Sequence, residues 1–370
     1  GVGRVGSRQG DARASGPTHS VLGGGPALVL SALVILAALY SFSIRPPPPF
    51  PATEVRPDGL LVTGVAQAGS RLIAVGELGH ILVGEGADGP WQPASVTPDR
   101  QSTFTQVLSL SPQRLLAVGH DSWIVRSEDG GTTWQEVHYS EDRADPLLGL
   151  AGPFDGRLFA YGAFGLFLVS TDQGESWQAQ SLVEASVDTA KDAPVVEADP
   201  YDPFAGFVED VGISGLHLNA LITAPDGSLL LVGERGLLAR STDNGDSWTQ
   251  LDEIYAGSFF GALVTPEDAL LVFGMRGHVF RSTDNGQTWT QAQVPETLSL
   301  FGGVALPGNR IVLVGASNSV WLSDDDGRTF TAATPGDRAN LADVLSLGNG
   351  RVITAGDQGL RVQTLNGDAE

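Results

Sequence analysis

The sequence predicts an all-β fold, a seven-bladed β-propeller of four-stranded antiparallel blades, preceded by one N-terminal transmembrane helix. Three observations lead there. A string of the form Ser-x-Asp-x-Gly-x-x-Trp recurs along the chain. An apolar strand ending in glycine recurs with it, seven times, at a nearly constant interval. Residues 21–44 run for 24 positions without a charge.

The uncharged stretch follows a polar segment, residues 1–20, in which Arg4, Arg8 and Arg13 outnumber Asp11. About 20 apolar residues cross the hydrocarbon of a bilayer, and the basic flank stays on the cytoplasmic side. Residues 1–20 are therefore expected to be a cytoplasmic tail and residues 21–44 a transmembrane anchor. A cleaved signal peptide is the competing expectation, with Ser41-Phe42-Ser43 at a suitable cleavage spacing. The length of the apolar stretch favours the uncleaved anchor. Arg45 and Pro46-Pro47-Pro48-Pro49 then open a stiff linker over residues 45–58.

The repeat fills residues 59–370. The string occupies residues 127–134, 170–177, 241–248 and 282–289, and a variant ending in phenylalanine occupies 323–330. The strand-ending glycines are Gly76, Gly119, Gly162, Gly233, Gly274, Gly315 and Gly356, at spacings of 43, 43, 71, 41, 41 and 41. The one long interval marks an insertion near residues 181–215. Seven in-phase units of this length, each with short apolar strands, match the blades of a propeller. Pro225-Asp226-Gly227, Pro307-Gly308-Asn309 and Gly348-Asn349-Gly350 supply turns between the first two strands of their units. The first unit keeps only a weakened string at residues 84–91. The last has three strands, so residues 50–55 are expected to supply its outer strand and close the ring.

These strings resemble the Asp-box, or bacterial neuraminidase repeat. With the preceding strand-Gly-x-x-Gly-strand pattern, residues 59–370 resemble the photosystem II assembly and stability factor family and its relatives in non-photosynthetic bacteria. The resemblance implies a non-catalytic propeller that assists assembly of a membrane complex. For bacterial relatives encoded beside resistance-nodulation-division (RND) exporters, it implies a periplasmic accessory role. It departs from the family in being strongly acidic, which puts a photosystem role in doubt.

Physically, the box is read as a fold staple. Asp129, Asp172, Asp243, Asp284 and Asp325 are placed to accept backbone N–H bonds across a tight turn. Trp134, Trp177, Trp248, Trp289 and Phe330 are placed to bury their rings between neighbouring sheets. Five calcium or carbohydrate sites are the alternative, but calcium needs a denser set of oxygen ligands.

Composition narrows function further. With 42% hydrophobic and 17% charged residues the chain is not a disordered tail. Without cysteine it has no disulfide, thiolate metal site or cysteine nucleophile. A formal charge of −22 repels nucleic-acid phosphates. The acids concentrate beyond the uncharged stretch, where the surface favours basic partner surfaces. No histidine pair has metal-ligand spacing, so neither a metal nor a cofactor is expected. The early Arg-Ile-Pro signature of sialidases is missing, and Tyr161 sits in a strand position, so no catalytic residue is expected.

One face carries the individuality. Turns between the second and third strands (B–C turns) and the links between blades emerge together, opposite the Asp-boxes. The B–C turns vary: Glu77-Leu78, His120-Asp121, Ala163-Phe164, Glu234-Arg235, Met275-Arg276, Ser317-Asn318 and Asp357-Gln358. The insertion lies on that face, rich in acids, and carries Tyr201, Phe204 and Phe207. Tyr201, Phe204, Phe207, Glu234, Arg235 and Arg276 are the candidate partner-binding residues. The expected function is a non-enzymatic periplasmic accessory subunit on the bacterial inner membrane, binding a membrane protein complex such as an RND-type exporter. The alternatives are a glycan-binding or sialidase-like propeller, and a free periplasmic scaffold after signal cleavage.

Overall fold

The structure, a computed structural model, describes residues 25–41, 57–182, 212–333 and 339–365. The chain divides into two units, Gly1–Glu54 and Val55–Glu370. The expected closing strand at residues 50–55, the tail at 1–20 and most of the insertion lie outside the described residues.

In the first unit, α1 (Gly25–Ser41) is a helix of 17 residues. The anchor expected over residues 21–44 is longer than this helix. At 1.5 Å per residue, 17 residues span about 26 Å, short of a hydrocarbon core of about 30 Å. Among the described residues no helix is long and apolar enough to cross a membrane.

The second unit is a seven-bladed propeller. The first blade comprises β1 (Val62–Ala68), β2 (Arg71–Gly76), β3 (Ile81–Gly84) and β4 (Trp91–Pro93). The second adds β5 (Ser95–Thr97), which pairs in parallel with its outer strand β9 (Thr133–His138), outside β6 (Phe104–Ser109), β7 (Leu115–Gly119) and β8 (Ile124–Ser127). Blades three to six share one four-stranded antiparallel plan. They begin with the inner strands β10 (Leu147–Phe154), β14 (Leu218–Thr223), β18 (Phe259–Val264) and β22 (Leu300–Leu306). Their outer strands have two residues each, and so short an edge offers little to a stray strand. The last blade has β26 (Leu341–Gly348), β27 (Arg351–Gly356) and β28 (Gly359–Thr364), three strands among the described residues.

The second strand of each blade is buried, apart from the half-buried Arg71, Arg157, Arg310 and Arg351 that open four of them. Leu229–Gly233 and Leu270–Gly274 are buried throughout, because adjacent blades cover both faces. The core therefore lies between blades. Phe159 and Phe167 of the third blade pack with Leu229, Leu231 and Trp248 of the fourth. Val62, Val65 and Leu72 of the first blade pack with Ile353 and Ala355 of the last, which closes the ring.

The seven strand-ending glycines have one cause. A Cβ on Gly233 would lie 2.2 Å from the carbonyl oxygen of His217, the residue before the inner strand. At Gly76, Gly119, Gly162, Gly274, Gly315 and Gly356 the matching clash is 2.0–2.2 Å. In each blade the next residue's N–H donates to that same oxygen, as Glu234 does to His217 at 2.9 Å. The repeat seen in the sequence is this junction, copied seven times.

The inner strands are stitched across the seams. Thr63 Oγ1 donates to the Phe104 carbonyl, Thr105 Oγ1 to the Leu147 carbonyl and Asn219 Nδ2 to the Phe259 carbonyl, each at 2.7 Å. At the closing seam, Val65 N–H donates to Asp343 Oδ2 at 3.0 Å, and Val344 N–H to Oδ1 at 2.8 Å. Asp343 is the one ionisable residue on any inner strand.

Candidate protein-interaction face

The Asp-box face is built as a set of closed staples. In the fourth blade, Ser241 Oγ donates to Asp243 Oδ1 at 2.7 Å and accepts Gly245 N–H at 2.8 Å. Asp243 Oδ1 also accepts Ser247 N–H at 2.9 Å, and Oδ2 accepts the Ser247 hydroxyl at 2.6 Å. Asp129, Asp172, Asp284 and Asp325 repeat this pattern with Thr133, Ser176, Thr288 and Thr329. The hydroxyl residue before the aromatic was missed in reading the sequence, although Ser or Thr stands there in all five boxes. Trp134, Trp177, Trp248 and Phe330 are buried between blades, and Trp289 is half-buried. Each box carboxylate thus spends its oxygens inside its own turn. No group of residues suited to hold a metal occurs among the described residues.

The arginines before three of the boxes do not form a common ridge. Arg126 Nε donates to the Gln173 carbonyl at 3.2 Å and Arg281 Nε to the Asp326 carbonyl at 2.8 Å, each bracing the next blade's box. Arg240 instead pairs with Asp226 of its own blade. Asp326 is fully buried and also accepts Thr265 Oγ1 at 2.7 Å and Glu267 N–H at 3.0 Å.

These bonds set the pH response. The Ser176, Ser247 and Thr288 hydroxyls, with the backbone N–H groups beside them, hold Asp172, Asp243 and Asp284 down to about 2. Their stabilisation is in place above about pH 4 and is lost as pH falls towards 2. Asp343 behaves oppositely, because burial pushes it up to about 6. Its charged form is the costly one, so its contribution is largest below about pH 4 and is lost as pH rises through 6. Asp343→Asn is therefore expected to change the pH profile of the melting temperature. The wild type should gain stability relative to the variant as pH falls from 7.5 to 4.5. Parallel profiles would show that this carboxylate does not titrate there.

The opposite face is open. The B–C turns are tight 3-10 turns with a non-glycine residue at positive φ: Leu78 at 54°, Phe164 at 52°, Arg235 at 53°, Arg276 at 55° and Ser317 at 54°. A left-handed backbone costs such residues free energy, and it thrusts their side chains outward. Among the described residues of the propeller, the exposed large apolar side chains are Leu78 (58%), Phe164 (57%) and Phe301 (37%). Leu78 and Phe164 are turn tips, and Phe301 is the second residue of β22, which starts from the same face.

Arg235 and Arg276 occupy equivalent tips on adjacent blades, exposed and without a carboxylate partner. Every other described arginine is held by a carboxylate or, for Arg361, by another contact. In a chain with 43 acids, two unpaired arginines side by side stand out. Glu234 faces inward instead: its Oε2 accepts the His217 N–H at 3.2 Å. Glu77 and Asp357 do the same for Leu61 and Asn340. The structure thus sets Arg235 and Arg276 on equivalent turns of adjacent blades and gives Glu234 a bracing role. Tyr201, Phe204 and Phe207 lie outside the described residues. Tyr161 is buried, with Gly149 leaving room for its ring, and burial pushes its hydroxyl up.

The family model described as "BNR/Asp-box repeat" matches residues 280–291. No curated protein matches the chain. Among solved structures, YCF48 bound to a D1 peptide is similar, with TM-score 0.62 and 16% identity over 85% of this chain and 99% of that one. YCF48 from Cyanidioschyzon merolae is similar at TM-score 0.62 and 16% identity, over 84% of this chain and 97% of that one. The GH74 enzyme of Niastella koreensis reaches TM-score 0.60 and 17% identity over 84% of this chain, but only 53% of its own. Likeness at such identities establishes the architecture and leaves activity open. The chain carries an Asp-box repeat and folds as a seven-bladed β-propeller.

Proposed function

We propose that this protein is a non-enzymatic accessory or assembly subunit that holds a membrane protein complex against the B–C face of its propeller. One observation carries the reading. Among the described residues of the propeller, the exposed large apolar side chains and the two arginines without a carboxylate partner gather on that face, while the Asp-box carboxylates are consumed by their own turns. Exposed apolar groups beside unpaired charge mark interaction surfaces. The solved likeness of a YCF48 propeller with a bound D1 peptide supports a peptide-binding role for this architecture.

The proposed location is the bacterial inner membrane, with the propeller in the periplasm. The support is α1, which has no charged residue and exposes apolar side chains around its circumference. The narrower reading of the partner as an RND-type exporter rests on the family resemblance alone. A glycosidase reading has the GH74 likeness of fold behind it, and turnover of an aryl sialoside or a glucan by the purified protein would favour it.

Gentle detergent extraction of the tagged full-length chain, followed by mass spectrometry, tests the proposal. A membrane-embedded protein is expected to co-purify in stoichiometric amount. Recovery of the chain alone would remove the main support.

A further inference from the structure

Phe260 and Phe301 are a second departure from the propeller's repeat. Both are the second residue of an inner strand, β18 and β22, at the end that starts from the B–C face. In three other blades this position serves the fold: Thr63, Thr105 and Asn219 each donate a hydrogen bond to the next blade's first inner-strand carbonyl. Phenylalanine makes no such bond. Instead the two rings meet each other across the seam, centroids 5.3 Å apart, and Phe301 stays 37% exposed.

The blade repeat sets an arginine-bearing turn against each of these strands. Five of the B–C turns lean on the inner strand of the following blade, among them the Arg235 turn on β18 and the Arg276 turn on β22. Arg276 N–H reaches Ser299 Oγ at 3.3 Å, two residues from Phe301. The Arg–Phe combination thus occurs twice, in register, on consecutive seams. At the neighbouring seams the same two positions hold Phe164 with Asn219 and Ser317 with Ala342.

We propose that this double Arg–Phe unit is the specificity site for an extended acidic segment of the partner. Its carboxylates pair with Arg235 and Arg276, and one large apolar side chain seats on the Phe260–Phe301 pair at the mouth of the central channel. The inference rests on the face proposed above. Charge complementarity names the occupant: the site holds the two arginines that lack a carboxylate partner among the described residues of a strongly acidic chain, so a basic segment is repelled and an acidic one is drawn in. The aromatic pair then discriminates among acidic segments by what it buries.

A displayed library of heptapeptides tests this, with glutamate on both sides of a randomised central residue. Selection uses the full-length chain in detergent. Enrichment of Phe, Trp, Leu or Met at the centre is expected on the wild type. That preference should disappear on Phe260→Ser/Phe301→Ser, with affinity for the best peptide falling about tenfold or more. Phe301→Ser alone, at an exposed position, guards against misfolding and should give an intermediate loss. No central preference on the wild type, or the same preference on the double serine variant, would overturn the aromatic seat. If Arg235→Ala/Arg276→Ala still abolishes binding in that case, the interaction face stands without the seat. Failure of both sets of variants to change binding would discard the face as well.

Discussion

Gly233→Ala is expected to lower the melting temperature by roughly 6–12 °C, whereas Gly86→Ala leaves it within about 1 °C. The contrast isolates the cause. Gly86 has open space where a Cβ would stand, while Gly233 faces the His217 carbonyl at 2.2 Å. That carbonyl cannot retreat, because it accepts the Glu234 N–H at 2.9 Å and belongs to the link entering the inner strand. Relieving the clash breaks the bond or separates the inner strand from its neighbour. Overpacking of this kind costs about 3 kcal/mol, worth some 2–4 °C for each kcal/mol in a domain of this size. Gly76→Ala and Gly315→Ala should behave alike, since the same junction recurs in their blades. Equal melting temperatures for Gly233→Ala and Gly86→Ala would mean that the junction relaxes freely and that the repeat has another cause.

The second large effect concerns binding. Arg235→Glu/Arg276→Glu is expected to weaken capture of the membrane-embedded partner at least a hundredfold while leaving the melting temperature unchanged within about 2 °C. Neither guanidinium has a side-chain partner among the described residues, so the described fold loses no contact with them. Charge reversal replaces two attractions by two repulsions and acts on both encounter and complex lifetime. A control reversal at Arg157, which pairs with Asp246 on the box face at 2.7 Å, should leave capture intact. Undiminished capture by the double reversal would place the partner elsewhere on the propeller.

Much of the fold was legible because it repeats. The strand-ending glycines announce a backbone contact that no side chain survives, and seven copies at even spacing leave little choice of architecture. The Asp-box string was equally plain, down to the aromatic between blades. The site was less legible. Phe260 and Phe301 are 41 positions apart in the chain, and only the blade repeat brings their rings together. Leu78, Phe164, Arg235 and Arg276 stand where a loop reader expects glycine, so their positive φ was invisible in the residue types. Arg126 and Arg281, each one residue before a box serine, reach across a seam to a backbone carbonyl that no residue spacing announces. Glu234 looked like a partner contact, but its carboxylate caps the backbone of its own blade. Asp343 drew no notice, because a single carboxylate in an apolar strand carries no motif. Its place at the closing seam comes from the ring, not from the neighbouring residues.

Site-directed photo-cross-linking in intact cells tests the central claim most directly. A benzoyl-phenylalanine replaces Phe164 or Leu78 on the B–C face, or Gln287 or Glu128 on the Asp-box face. Discrete adducts with one membrane-embedded protein are expected from the first two positions and none from the last two. Adducts from the Asp-box face with none from Phe164 or Leu78 would contradict the assignment of the B–C face as the interaction surface.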